Sequence, residues 1–271
     1  MSWPYWHRKA RRRIARIELT GPIAGTTRER VLKALKQVEE RRFPALLLRI
    51  DSPGGTVGDS QEIHAALLRL RDKKCHVVAS FGNISASGGV YIGVAAQEIV
   101  ANAGTITGSI GVILRGSNLS ELLRRIGVSF ETVKSGRFKD ILAPDRALAP
   151  EERTLLQALI DSSYGQFVQA VAVGRKLDPA QVRAFADGRV FSGEQARELG
   201  LVDHLGDEDF AQRRAAELAG LNPDKAPCVT LGTAPKGLSR FLPGSRLLSM
   251  IMREVELEVL QSGAPLWLFR P

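Results

Sequence analysis

The sequence predicts an α/β fold, a mostly parallel sheet with helices covering its faces. Three observations carry this. Apolar runs at Ala45 to Ile50 and His76 to Phe81 are nearly continuous, as in strands buried on both faces. Other stretches place apolar residues at helical spacing, such as Ile63, Leu67 and Leu70. Glycine-bearing loops follow or border the strands, and the alternation of strands with helices implies right-handed βαβ units.

Residues 14–19 alternate weakly and read as the first strand. Thr26 with Glu29 forms a capping-box pattern, and a helix follows with Val31, Leu35 and Val38 on one face. Ala45 to Ile50, the Ile63–Leu70 helix and His76 to Phe81 come next. Val90 to Ala96 looks helical, and apolar segments at 98–101, 111–114 and 128–133 continue the strand series. Pro150 is a good first helical residue, and Glu151 and Glu152 suit a helix start. That helix is expected to reach about Val173, with Leu156, Ile160, Phe167 and Val171 facing inward. Two shorter helical stretches and Phe210 to Leu218 complete a domain over residues 14–220. An extension over 221–271 follows, with an amphipathic helix expected near Leu247 to Leu260.

A chain of 271 residues buries one good-sized core, and 44% apolar with 25% charged content is ordinary for a globular enzyme. The net charge of +9 is uneven. Arg8, Lys9, Arg11, Arg12, Arg13 and Arg16 carry most of it, with no acid among the first 16 residues. The rest is nearly balanced, which argues against a nucleic-acid partner. Residues 1–13 form a basic arm that also holds Trp3, Tyr5 and Trp6, suited to a lipid surface or to a disordered tail. No signal-peptide core and no spanning apolar run is legible, so a cytoplasmic or peripheral-membrane location is expected. Cys75 and Cys228 make neither a disulfide framework nor a metal cluster and point to a reducing compartment. No cofactor motif is present: the Gly104–Gly111 stretch lacks a P-loop lysine and the acid of a dinucleotide fingerprint.

Three loops carry paired glycines: Asp51-Ser52-Pro53-Gly54-Gly55, Ser85-Ala86-Ser87-Gly88-Gly89 and Thr107-Gly108-Ser109-Ile110-Gly111. Ligands collect at the carboxyl ends of parallel strands, and glycine lets backbone amides approach them closely. Ser87, between a buried strand and an apolar helical segment, has the setting of an exposed nucleophile. It is equally suited to capping a helix. Its base is not a histidine with an obvious acid: His7, His64, His76 and His204 each read as structural. A buried lysine can serve instead. Lys134 and Lys139 both follow the apolar run ending at Val133, and physical chemistry alone does not choose between them.

These loops, with Lys134-Ser135-Gly136-Arg137-Phe138-Lys139-Asp140-Ile141 and Asp187 to Gly193, resemble the signal peptide peptidase A family. The resemblance runs from about Ile14 to Asp207 and implies the Clp protease/crotonase-like fold. It implies that Ser87 is the nucleophile, Lys139 the general base and Ser109 the residue that orients the lysine. Gly54 and Gly88 would supply the oxyanion amides, with Gly55 a close competitor, and Gly55 and Gly89 would line the substrate. It further implies no metal or cofactor, peptide substrates, and a homo-oligomeric ring or dome, such as an octamer, in which neighbours can share the dyad. Many members begin with a membrane anchor, where this chain has its basic arm. The alternatives are a crotonase-like acyl-CoA enzyme and an inactive membrane-surface adaptor. The first needs carboxylates at the reacting carbon, and Glu98 is the only acid between residues 73 and 120.

Overall fold

Ile14–Thr20 (β1), Ala45–Ser52 (β2) and His76–Ala86 (β4) are parallel neighbours at the centre of an eight-stranded sheet. This is a computed structural model, and it describes residues 10–232 and 266–268. The Leu247–Leu260 helix and residues 1–9 of the arm lie outside the described residues.

β4 is long enough to serve two partners. Its first half pairs with Glu98–Ala101 (β5), which in turn pairs with His204–Leu205 (β8). Its last residues pair with Ile106–Gly108 (β6), and Val190–Ser192 (β7) adds antiparallel to β6. On the far edge Cys228–Leu231 (β9) runs parallel to β1. Residues 228–231, read as part of a separate extension, are therefore sheet. A short strand after β2, Gly54–Thr56 (β3), pairs antiparallel with Leu266–Leu268 (β10).

Strand alternation divides the core into two layers. Leu46, Leu48 and Ile50 face Gly25–Arg41 (α1), Val57–Asp72 (α2) and Gly88–Gly93 (α3), together with Phe167, Val168 and Val171 of Pro150–Arg175 (α5). Ala45 and Leu47 face the opposite way, onto Ala211, Ala215 and Ala216 of Glu208–Leu218 (α8). Alanine at those positions lets α8 lie close to the sheet, and each fully buried leucine contributes about 1.5–3 kcal/mol. Glu208 in the first turn of α8 accepts from Arg16 Nε at 2.5 Å and lies 3.7 Å from Arg49 Nε, fixing the helix to β1 and β2. The remaining helices are Ser120–Arg125 (α4), Pro179–Phe185 (α6) and Gly193–Glu198 (α7).

The α/β class is as expected, with local corrections. The Thr26–Glu29 capping box does not form, because α1 already begins at Gly25 with Ala24 at its cap and no side-chain cap bond. Segment 128–133 is not a strand: Phe130 is 61% exposed and Val133 fully so. Segment 111–114 makes only an isolated bridge, at Ile113. Leu156 and Ile160 are half-buried and line an open cleft of about 420 Å³ with Leu114 and Leu142.

Candidate active site

The carboxyl ends of β2, β4 and β6 bring three loops to one place. The register Ser85↔Thr107 and Ala86↔Gly108 carries the ladder to the end of β4, where the Ser87 N–H donates to the Gly108 carbonyl at 2.8 Å. Ser87 stands at φ 53° and ψ −115°, a conformation that costs a non-glycine residue about 1–3 kcal/mol. Ladder and helix hold it there, since the Tyr91 N–H donates to the Ser87 carbonyl at 3.0 Å to open α3. Ser109 also has positive φ, 50°, and its N–H donates to the Arg189 carbonyl at 2.7 Å. Both serines are buried, Ser87 at 1% exposure.

The third loop lies against the second. A Cβ on Gly88 would stand 3.2 Å from the Gly54 Cα and 3.2 Å from the Gly55 nitrogen, so β3 touches the start of α3. Gly54 takes φ 102°, and its N–H donates to Ser52 Oγ at 3.1 Å. The Ile23 N–H donates to the Gly54 carbonyl and the Thr56 N–H to the Ile23 carbonyl, at 2.8 and 2.9 Å. Alternation along the strand turns the Gly55 N–H and C=O to the opposite edge.

Buried hydroxyls tie the loops together. Ser85 Oγ donates to the Ile50 carbonyl and Thr107 Oγ1 to the Ser85 carbonyl, both at 2.7 Å. Asp51 Oδ1 accepts from the Ile84 N–H at 3.1 Å, where the β2–β4 register shifts. The sequence places Asp51, Ser85 and Thr107 at the heads of the three glycine loops without giving them a role, although Asp51 directly follows an apolar strand, the place where a loop-fixing carboxylate belongs.

The lysine-bearing segment projects from the body. Lys134 Nζ donates to Asp140 Oδ1 at 2.6 Å, whereas Lys139 is exposed and has no ion pair among the described residues. No hydrogen bond joins the Ser87 hydroxyl to the Lys139 amine among the described residues. Arg146 anchors the segment to α5. Its guanidinium grips Glu152 at 2.5 and 2.8 Å and donates from Nε to Asp140 at 3.1 Å. Arg146, then the Ala149 N–H, pulls the Glu152 carboxyl from its ordinary 4.5 to about 2. Asp140 is held well below its usual range by Arg146 and then Lys134. A depressed carboxylate stabilises the folded chain fully above its ordinary pKa, so for Glu152 that contribution is lost as pH falls from about 4.5 through about 2.

Residues 69–222 match Peptidase family S49. The chain is also 58% identical over its whole length, and the whole of the relative's, to the putative protease slr0021 of Synechocystis. The chain belongs to peptidase family S49. It is a serine-type peptidase. The putative signal peptide peptidase SppA of Enterococcus faecium is 37% identical over 72% of the S49 chain and 60% of its own. Protease 4 of Salmonella typhi is 38% identical over 75% of this chain and 32% of its own length. Among solved structures, a point mutant of the 1510-N membrane-bound stomatin-specific protease superposes with a TM-score of 0.55 at 15% identity, covering 82% of this chain and 98% of that one. A point mutant of ClpP1 from Listeria monocytogenes gives 0.50 at 17%, covering 74% and 94%. The Clp-like fold expected from the sequence is thus borne out.

No hydrogen bond joins a described histidine of this S49 peptidase to the Ser87 hydroxyl. Burial, then Arg71, pushes His64 down to about 4, and its ring packs on Tyr91 at 4.8 Å. His204 has an acid partner that the sequence hid, Glu98, 3.2 Å from Nε2. Glu98 pairs with Val78, nine residues back along β4 from Ser87, a separation of roughly 25–30 Å at strand rise. We expect Arg146→Ala to free the Lys139 segment and lower kcat/KM for peptide cleavage by about 10- to 100-fold, the scale of ångström misplacement. The melting temperature should fall as well, because Glu152, 4% exposed, is left without the guanidinium that holds its carboxylate; activity equal to wild type would show that the anchor positions nothing.

Proposed function

We propose that the chain is an endopeptidase in which Ser87 is the nucleophile and Lys139 the general base. The carrying observation is Ser87 itself: a strained, buried serine on a strand-to-helix turn, walled by two glycine loops and a second serine, in an S49 peptidase. The neutral amine of Lys139 takes the Oγ proton, Ser87 attacks the peptide carbonyl, and the acyl-enzyme forms as the amine product leaves with that proton. Water then releases the acid. Ser109, one ladder step away, orients the lysine. Gly88 and Gly54 are the proposed oxyanion donors; the bond from Gly54 to Ser52 favours Gly55 in the second role, with Gly55 and Gly89 lining the substrate.

A lysine acts as a base only where water is kept from its amine. Lys139 is exposed in the single chain, so we propose that a neighbouring copy buries it and shares the dyad. The same segment exposes Leu122, Ile126, Phe130 and Val133, joined by Leu155 and Leu159 of α5, an apolar surface suited to a homo-oligomeric ring or dome. Substrates are proposed to be signal peptides or other unfolded or membrane-released peptides, in keeping with the name of the Enterococcus relative. Among the described residues no helix is long and apolar enough to cross a membrane. Peripheral contact through the basic arm is proposed as well: Arg11, Arg42 and Lys74 are exposed at the sheet end opposite Ser87, beside Glu40 and the Lys73–Glu39 pair, and cosedimentation with phosphatidylglycerol vesicles tests it.

The central test is a pH–rate profile with fluorophosphonate labelling. Labelling should fall on Ser87, and cleavage should rise toward alkaline pH as the amine loses its proton. A flat profile between about pH 6 and 10 would contradict a lysine base.

A further inference from the structure

β3 has one neighbour on each edge. Ile23 pairs parallel with Gly55 on one side, and β10 pairs antiparallel on the other through Leu266↔Thr56, Trp267↔Gly55 and Leu268↔Gly54. The far edge of β10 is engaged as well. The Ile113 N–H donates to the Leu266 carbonyl at 3.1 Å, and the Leu266 N–H donates to the Ile113 carbonyl at 3.0 Å. Three residues near the end of the chain thus fill the gap between the glycine strip beside Ser87 and the strand-like stretch that follows Ser109. β10 also lies against α3, the helix that Ser87 opens. Leu266 is 2% exposed, and Ser87, Gly54, Gly55 and Gly88 are all buried.

An open strand edge with unpaired amides and carbonyls is a template for an added strand, and extended peptides bind such edges through their main chain. The edge of β3 that carries the Gly55 N–H and C=O is the one β10 covers. An endopeptidase must bring an extended peptide to Ser87, and here the chain's own strand already holds the edge beside it.

We infer that residues 266–268 are an intramolecular competitor for the peptide channel: β10 occupies the β3–Ile113 cleft as a substrate strand would, with Leu266 as its anchor. This rests on the peptidase reading. Tethering makes weak pairing sufficient, because a linked segment faces its site at an effective concentration in the millimolar range. Substrate must displace the strand, so the apparent affinity falls by the fraction of time the cleft is open.

The test compares the full-length chain with its Leu266→Asp variant on dye-labelled casein. A channel open about a tenth of the time predicts an apparent KM about tenfold lower in the variant, with kcat within twofold. A synthetic peptide of residues 262–271 should inhibit the variant competitively, and the same peptide with aspartate at the Leu266 position should not. Equal KM values, or non-competitive inhibition, overturn the proposal. Leu266→Ala, expected to lie between the two, covers the case in which aspartate disturbs folding. A second arm needs no catalysis: fluorescence polarisation of the labelled 262–271 peptide on Ser87→Ala chains with and without Leu266→Asp. Binding confined to the Leu266→Asp chain supports the competitor, and equal binding to both overturns it. If neither active form cleaves casein or takes up a fluorophosphonate, the peptidase reading fails while this binding arm still decides the inference.

Discussion

Replacing Ser87 by alanine is expected to lower kcat/KM by about 10⁵- to 10⁶-fold, the loss seen when a serine nucleophile is removed. The melting temperature should hold, because the neighbouring bonds to Gly108 and from Tyr91 are made by the backbone. Ser87→Gly should be equally inactive yet more stable, by up to about 1–3 kcal/mol, because glycine accepts φ 53° and ψ −115° without the penalty a serine carries. Calorimetry beside a cleavage assay checks both. A glycine variant less stable than wild type would mean that the hydroxyl, rather than the strain, dominates at this turn. Lys139→Ala should be nearly as inactive, with the fold intact, since its amine has no ion pair among the described residues. Lys134→Ala breaks the bond to Asp140 and should cost less than about tenfold if Lys139 is the base as proposed. Reversal of the two lysine effects would move the base to Lys134.

Gly55→Ala is the second change expected to have a large effect. A Cβ at Gly55 would stand 1.9 Å from the Ile23 carbonyl oxygen and 2.7 Å from the Ile23 nitrogen. Both are backbone atoms held by the Ile23–β3 bonds, so no side chain can swing aside. β3 must shift, at about 1–3 kcal/mol for overpacking, and the Gly54–Gly55 amides move with it. Activity should drop by about 10²-fold or more, the scale of a 1 Å displacement of a catalytic donor. Gly58→Ala is the control. Gly58 lies in the first turn of α2 with nothing near its virtual Cβ, so alanine there should be neutral or stabilising by up to about 1 kcal/mol. Similar losses from both would show that the close approach to Ile23 is not what matters.

The central strands were legible because β2 and β4 are buried on both faces and read as unbroken apolar runs. The gathering of the three glycine loops was legible too, since each ends or borders one of those strands. Segment 128–133 misled because apolar residues signal burial without saying by what: here they face outward, available to another copy. The Thr26–Glu29 pattern misled because the same spacing fits inside a helix that starts earlier. The His204–Glu98 pair joins residues 106 apart in the sequence, and local spacing carries no sign of it. The pairing of β10 is the extreme case. Three apolar residues after a long intervening stretch carry no information about which edge they will find.

The β1–β9 ladder also orders events during synthesis. Ile14 to Ile17 are made more than 200 residues before their partners Cys228 to Leu231. At about 5–20 residues per second that is a delay of roughly 10–40 s. Throughout it, one side of β1 stays unpaired, an invitation to chaperones and to wrong partners alike. The sheet that aligns the three glycine loops therefore closes only once residues 228–231 have been made, and a nascent chain shorter than that keeps an open edge beside its core.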